Sequence, residues 1–196
     1  RETSTNECSY TCEFDKKISG AQRHIKLSLS LKPNERNKGN KILSNIDSKI
    51  KPEYLNAINE GIESALTAGP NASYPIVDTI ISIDECIFDE KNVLPEAFMA
   101  VGNMCASSLF REANMILLEP IMAVNIKVPN TFTGGVISDL QSRSGIVNNI
   151  DSQNNFDEIS VKASLKSLFG YTTTLRSLTQ GKGTFSMQFS EYDILS

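Results

Sequence analysis

The chain contains no tryptophan, a single histidine, and no apolar run longer than a few residues, Met115–Leu118 being typical. No segment of that length spans a bilayer. The single His24 excludes every metal site built on two histidines, and any Ser-His-Asp or Cys-His device would have to run through it. His24 sits in a Lys/Arg-rich stretch with no strand-turn-helix nucleophile motif beside it, so the surface is its expected place. The four cysteines, at 8, 12, 86 and 105, lack the tight paired spacings of a structural zinc site. A chain of 196 residues needs no disulfide staple, so reduced thiols are expected. The amino end does not read as a targeting peptide, since Glu2, Glu7 and Glu13 supply acids such peptides avoid. Beginning at Arg1 without a Met, the chain reads as a piece of something longer.

What is present is a hydrophobic fraction of 40%, enough for a proper core, and a net charge of −4 that conceals a strong asymmetry. Residues 16–51 hold ten basic side chains (Lys16, Lys17, Arg23, Lys26, Lys32, Arg36, Lys38, Lys41, Lys49 and Lys51) against only Glu35 and Asp47. An acidic chain with one basic strip is a candidate for local contact with phosphates. The stretch Pro33–Lys41 (PNERNKGNK) has breaker composition and is expected to be a solvated loop.

Apolar periodicity divides the chain into two patterns. In the first, Ile25–Leu31 alternates as a half-buried strand, and Pro52 opens a helix striped by Leu55, Ile58, Ile62 and Leu66 and stopped at Gly69-Pro70. Pro75–Ile83 reads as a strand, and Pro95 opens a second helix to about Ala113 with Phe98, Val101, Cys105 and Leu109 inward, which makes Cys105 a core thiol. After a boundary near Leu118 comes a βαββαβ order: strand Ile121–Val128, helix Thr131–Arg143, strands Ile146–Asp151 and Glu158–Ala163, helix Leu165–Gln180, strand Thr184–Phe189. The class is α+β, with an antiparallel sheet covered by helices on one face in the second half.

Catalytic and nucleotide motifs fail on inspection. Gly181-Lys182-Gly183-Thr184 resembles the end of a phosphate loop, but Lys182 is followed by Gly and a strand comes next, where a P-loop needs Ser or Thr and a helix. Gly134-Gly135 lacks the rest of a dinucleotide fingerprint, and the acid pairs Asp84/Glu85 and Asp89/Glu90 have no acid–base constellation around them. The chain is expected to be non-catalytic.

The stretch LFGYTTTLRSLTQGKGTFSMQFSEY (Leu168–Tyr192) resembles the terminal segment of translation elongation factor G, with its Phe-Gly-Tyr, Leu-Arg-Ser and Thr-Gln-Gly-x-Gly-Thr at the same spacings. LLEPIMAVNIKVPNTFTGGVISDLQSRSG (Leu117–Gly145) is similar to that family's Leu-Glu-Pro-Ile-Met start and Val-Ile-x-Asp-Leu-x-Ser-Arg helix. KIKPEYLNAINEGIESAL, YPIVD and EAFMA resemble, less closely, the preceding family domain. The resemblance implies an S5-like domain over residues 1–118, with an uncommon left-handed βαβ crossover, then a ferredoxin-like domain over 119–196. It implies no cofactor in this chain, with GTP and magnesium bound upstream in a parent GTPase. It also implies a monomer without a membrane span whose partner is the ribosome.

Two loops depart from the translocating members. Their first tip loop reads Ser-Gly-Gly-Arg-Gly-Gln-Tyr-Gly; here Ser19-Gly20-Ala21-Gln22-Arg23-His24 is shorter and keeps one glycine. In the second, Phe88-Asp89 stands where Tyr-His is usual, and an acid facing RNA phosphate repels. Such a tip, with Arg1-Glu2-Thr3 and Arg23-His24, resembles the second mitochondrial branch of the family, the ribosome-releasing one. That branch implies a mitochondrial matrix location and work with ribosome recycling factor to separate subunits after termination. The alternatives are a mitochondrial translocase with a drifted tip and, from another class, an ACT-like ligand-binding module, against which the Thr-Gln-Gly-x-Gly-Thr match argues. The candidate contact residues are Lys16, Lys17, Ser19, Gly20, Arg23, His24 and Asp89 in the first half and Gly170, Tyr171, Arg176, Gln180, Gly181 and Lys182 in the second.

Overall fold

A computed structural model describes residues 1–46, 50–91 and 93–194, so Asp47 and Lys49 of the basic stretch lie outside the described residues. The chain forms two compact units, Arg1–Leu117 and the part from Leu118 onward.

The first unit is built on a four-stranded sheet of β2 (Cys8–Ile18), β3 (Ala21–Pro33), β4 (Lys41–Ser44) and β5 (Thr79–Phe88), in the order β2-β3-β5-β4. The strands β2, β3 and β5 are antiparallel, whereas β4 runs parallel to β5 and reaches it through helix α1 (Pro52–Leu66). Helix α2 (Pro95–Glu112) follows, and a two-residue pair, β1 (Glu2–Thr3) with β6 (Ile116–Leu117), closes the unit. Both helices open on a proline, whose missing N–H costs nothing in the first turn. The inward row of β3, Ile25, Leu27, Leu29 and Leu31, packs with Ile81 and Ile83 of β5 against Ile58 and Ile62 of α1 and Phe98, Val101, Cys105 and Leu109 of α2. Leu55, expected in the α1 stripe, is only half-buried, and Tyr54, Ala57 and Ala65 fill the inner face instead. Gly61 and Gly102 let the two helices touch: a Cβ on Gly102 would lie 2.6 Å from the carbonyl oxygen of Ile58.

Two expectations in this unit are corrected. The strand expected over Pro75–Ile83 starts at Thr79 and runs on to Phe88, because Asp78 at φ +57° breaks the extended run. Pro75 and Val77 instead bond the backbone of Glu2, whose N–H donates to Pro75 and whose carbonyl accepts from Val77, both at 2.9 Å. The loop expected to be merely solvated at 33–41 is tied to the buried Asp78. The carboxylate of Asp78 accepts the backbone N–H groups of Asn37 (3.0 Å) and Gly39 (2.8 Å) and pairs with Arg36 at 3.5 Å. Asn40 adds bonds to the Ile76 carbonyl and the Thr79 N–H.

The second unit has the βαββαβ order: β7 (Glu119–Pro129), α3 (Thr133–Ser142), β8 (Ile146–Gln153), β9 (Phe156–Ser164), α4 (Tyr171–Leu178) and β10 (Thr184–Asp193). Its sheet is antiparallel throughout, in the order β10-β7-β9-β8. Val124, Ile126 and Val128 of β7 and Ile159, Val161 and Ala163 of β9 face Val136 and Leu140 of α3 and Tyr171 and Leu175 of α4. The helix expected over Leu165–Gln180 is corrected to a 3-10 turn at Lys166–Leu168 and an eight-residue α4, because Gly170, at φ +71°, interrupts the pattern.

Candidate functional site

The first candidate surface lies at one end of the first sheet. Ser19 and Gly20 alone connect β2 to β3, both with positive φ (49° and 83°), and Ile18 pairs directly with Ala21. This is a two-residue turn of the kind whose twist matches a hairpin, with the second position favouring glycine. Ala21–His24, expected in the loop, are therefore strand residues, paired as Lys17–Gln22, Lys16–Arg23 and Asp15–His24. Gln22 ties back to Asp15 at 2.5 Å. Because β5 pairs with β3 through Phe88–Ile25, Asp89 leaves the sheet beside His24. The aromatic cluster of Phe88, Phe98 and Tyr54, with centroids 4.5–5.9 Å apart, fixes where that second loop begins.

The fold thus brings Lys16, Lys17, Ser19, Gly20, His24 and Asp89 to one exposed edge. Arg23 is the exception. It is 8% exposed, with its Nε donating to the Ile18 carbonyl at 3.1 Å, so it braces the turn from beneath rather than reaching outward. The basic strip is likewise not one patch. Lys38 follows the far end of β3, and Lys41 is level with Lys32 near that end, on a strand that at ~3.3 Å per residue spans about 40 Å. Arg36 is held by Asp78, and Lys26 lies 3.9 Å from Glu85.

The second candidate surface surrounds α4. Gly170 precedes its first turn, Arg176 lies exposed in its last, and Gln180 and Gly181 carry the chain out of it at positive φ (52° and 77°). The N–H of Gly181 returns to the Arg176 carbonyl at 2.8 Å and that of Lys182 to Thr179 at 3.0 Å. Buried Thr179, which the sequence did not single out, holds this bend: its hydroxyl donates to Leu175 (2.6 Å) and accepts the Gly183 N–H (2.9 Å). Gln180, Gly181 and Lys182 are thereby displayed on a rigid knuckle.

Tyr171 is corrected from contact residue to core residue. It is 1% exposed, edge-on to Phe185 at 5.2 Å, with the Arg143 guanidinium 5.3 Å from its ring centroid. Burial, and secondarily the charge of Asp139, push its hydroxyl up to about 12, with Arg143 opposing. Arg143 is a second residue missed in the sequence. It bonds Asp139 (2.9 Å), the carbonyls of Ser167 (2.9 Å) and Phe169 (3.2 Å), and the Thr174 hydroxyl (3.0 Å).

Among the described residues no group of three or more His, Cys, Asp or Glu could hold a metal ion, and no helix is long and apolar enough to cross a membrane. The four cysteines are free thiols. Cys105, fully buried, donates to the Leu27 carbonyl at 3.5 Å, and its hydrogen bond with Cys12 together with burial pushes its pKa up. Burial raises Cys86 to about 12. Thiols held protonated in this way are poor nucleophiles. Lys182 and Gly183 run straight into β10, so the phosphate-loop likeness has no helix behind it.

Comparison with known families is then decisive: the model of elongation factor G domain IV matches residues 1–114, and that of the elongation factor G C-terminus matches residues 116–196. The chain belongs to the elongation factor G family. It is similar to "Elongation factor G 2" of Syntrophus aciditrophicus, at 38% identity over 98% of this chain, and spans 29% of that relative's length. A crystal structure from Thermus thermophilus superposes with a TM-score of 0.83 at 25% identity, covering 98% of this chain and 29% of its own. The hairpin edge belongs to the domain IV part and the α4 knuckle to the C-terminal part. Both matches are to parts of the family other than its catalytic G domain.

Proposed function

We propose that this chain is the ribosome-contacting part of a mitochondrial GTPase that, with ribosome recycling factor, separates ribosomal subunits in the matrix after termination. GTP and magnesium would belong to the part of the relatives that this chain does not span. In finer terms, residues 1–118 form an S5-like domain with a left-handed crossover and 119–196 a ferredoxin-like domain, working as a monomer.

The observation that carries the reading is the hairpin edge. A close approach of backbone to RNA is easiest where side chains are absent. Here a single glycine remains in a two-residue turn, the strand behind it carries Gln22 and His24, and the carboxylate of Asp89 stands beside them. That edge is poorly suited to hold a moved codon–anticodon complex, because a carboxylate repels phosphate. The α4 knuckle is fully formed, with Lys182 and Arg176 outward, and docking with force applied to a partner factor asks for little more. The translocase reading keeps one specific support, the 38% identity to a relative named as an elongation factor. Light scattering of cognate ribosomes separates the two. The full-length protein with GTP and recycling factor should lower the signal as subunits part, and an unchanged signal refutes the proposal.

A further inference from the structure

The thiols of the first unit take no part in either surface, and the sheet register decides which of them can meet. Cys8 and Cys12 are in β2, Cys86 is in β5 and Cys105 is in α2. Cys12 lies opposite Leu27 of β3, and Leu27 lies opposite Cys86 on its other side. Cys12 and Cys86 are therefore two strands apart, about 10 Å between Cα atoms, beyond the ~7 Å that a disulfide spans. Cys8 pairs with Leu31, four residues back from Cys12, or about 13 Å along β2. Cys105 is different. Its sulfur stands 3.5 Å from the Leu27 carbonyl and 3.8 Å from the Tyr10 carbonyl, on the inner face where Cys12 also points. The thiols of Cys12 and Cys105 are hydrogen-bonded to each other.

The pair is chemically unequal. Donation from the Cys105 thiol, opposed by burial and aided by the Leu27 N–H, holds Cys12 below the ordinary thiol range. The same hydrogen bond, together with burial, pushes Cys105 up, so Cys12 is the member that ionises. The thiolate, not the thiol, is the reactive form. Cys12 is 9% exposed on an edge strand, whereas Cys105 is wholly enclosed. A small oxidant therefore meets Cys12 first, with the second thiol already in contact behind it.

We propose that Cys12 and Cys105 form a dithiol–disulfide switch, driven by hydrogen peroxide, that fastens the edge strand β2 to helix α2. The Cys12 thiolate attacks one peroxide oxygen, the O–O bond breaks, and Cys12 becomes a sulfenic acid. The hydroxide released takes up the proton that Cys12 had lost, giving one water. The Cys105 sulfur then attacks the Cys12 sulfur, and its proton leaves with the hydroxyl group as a second water. Two thiols lose two electrons in all, and one peroxide gains them. A small thiol reductant reverses the bond by exchange. Closure brings the sulfurs from hydrogen-bonding contact to ~2.05 Å. Strand β2 has a free side on which to yield, and it leads from Cys12 to the Ser19–Gly20 turn, so the bond sits at the root of the hairpin edge.

The whole chain carrying Cys8→Ser and Cys86→Ser keeps only the two thiols concerned, and an alanine version of the same background guards against disturbance at the half-buried Cys86. Hydrogen peroxide in slight excess should remove both thiols together, counted after unfolding, and leave the chain two hydrogens lighter. Trypsin should then release peptide 2–16 joined to peptide 92–111, and dithiothreitol should part them. A gain of oxygen with Cys105 still open to alkylation overturns the switch. In the wild type, Cys12 should be consumed at least about tenfold faster than Cys8, although Cys8 is the more exposed; Cys8 reacting first refutes the activation of Cys12. In urea the preference for Cys12 and the paired loss should both vanish, because both come from the fold, and their persistence contradicts the account. Cys105→Ser, with Cys105→Ala as a second form, should leave Cys12 as a sulfenic acid that dimedone traps. Equal trapping in wild type and both variants removes Cys105 as the resolving thiol.

Discussion

Replacing Asp78 by Asn should detach the 34–40 loop from the first unit. Both oxygens of the buried Asp78 carboxylate are used, one accepting the Gly39 N–H at 2.8 Å and the other the Asn37 N–H at 3.0 Å, with Arg36 at 3.5 Å. An amide keeps one acceptor, sets an NH2 group against the other N–H, and puts a neutral group where Arg36 now faces the Asp78 charge. Hydrogen bonds to a charged group contribute about 1.5–3 kcal/mol each, and a buried donor left unpaired costs a similar amount. Loss of one bond with weakening of the ion pair therefore amounts to roughly 3 kcal/mol, a large share of the ~5–15 kcal/mol of a typical domain. Asn tolerates the positive φ of this position, so backbone strain does not confuse the result. Urea unfolding of wild type and D78N measures the loss, and limited proteolysis should cut between residues 34 and 40 only in the variant. A difference below about 0.5 kcal/mol, within the range of ordinary surface substitutions, together with an uncut loop would refute the reasoning.

Other outcomes follow from the same geometry. Gly102→Ala places a methyl carbon 2.6 Å from the Ile58 carbonyl oxygen, so α1 and α2 must part, at a cost of about 1–3 kcal/mol measured by thermal unfolding. Charge reversal of Lys16 and Lys17, exposed at the hairpin edge, should weaken ribosome binding and flatten its dependence on salt by about one unit of slope per lost phosphate contact; an unchanged slope removes their electrostatic role. Tyr171 has a folded-state pKa raised to about 12 from 10.0, so below pH 10 its stability contribution is intact. Between the two values the unfolded chain loses the proton first and stability falls. Tyr171→Phe, which deletes a buried hydroxyl without a hydrogen-bond partner, should remove this alkaline loss and cost little at neutral pH; a Y171F curve parallel to wild type up to pH 12 contradicts it.

The sequence shows those elements whose burial follows a clean period. Pro52 and Pro95 mark helix starts, the Ile25–Leu31 alternation marks β3, and the βαββαβ order of the second unit emerges from its apolar runs and turn residues. What it hides has physical causes. Strand β2 lies at a sheet edge with one face open, so Glu13, Asp15 and Lys17 mask its Cys12–Phe14 core row. Asp78 breaks one strand and holds a loop through contacts some forty residues away in sequence, which no local pattern records. Position 170 was the available signal at the second surface: a glycine inside a helical pattern marks a break. Taken as a break, it separates the buried Tyr171 from the exposed Phe169, two aromatics that a continuous helix leaves undistinguished. Arg23 shows the converse limit, since a guanidinium in a basic stretch looks like a contact until its carbonyl partner is known.

The most direct measurement of the central claim sets two rates side by side for one preparation of the full-length protein on its cognate ribosomes. One is peptide-chain elongation; the other is subunit separation with recycling factor and GTP. The edge formed by Ser19, Gly20, His24 and Asp89 predicts robust separation with elongation at the level of a reaction lacking any translocase. Robust elongation without separation contradicts the account and restores the translocase.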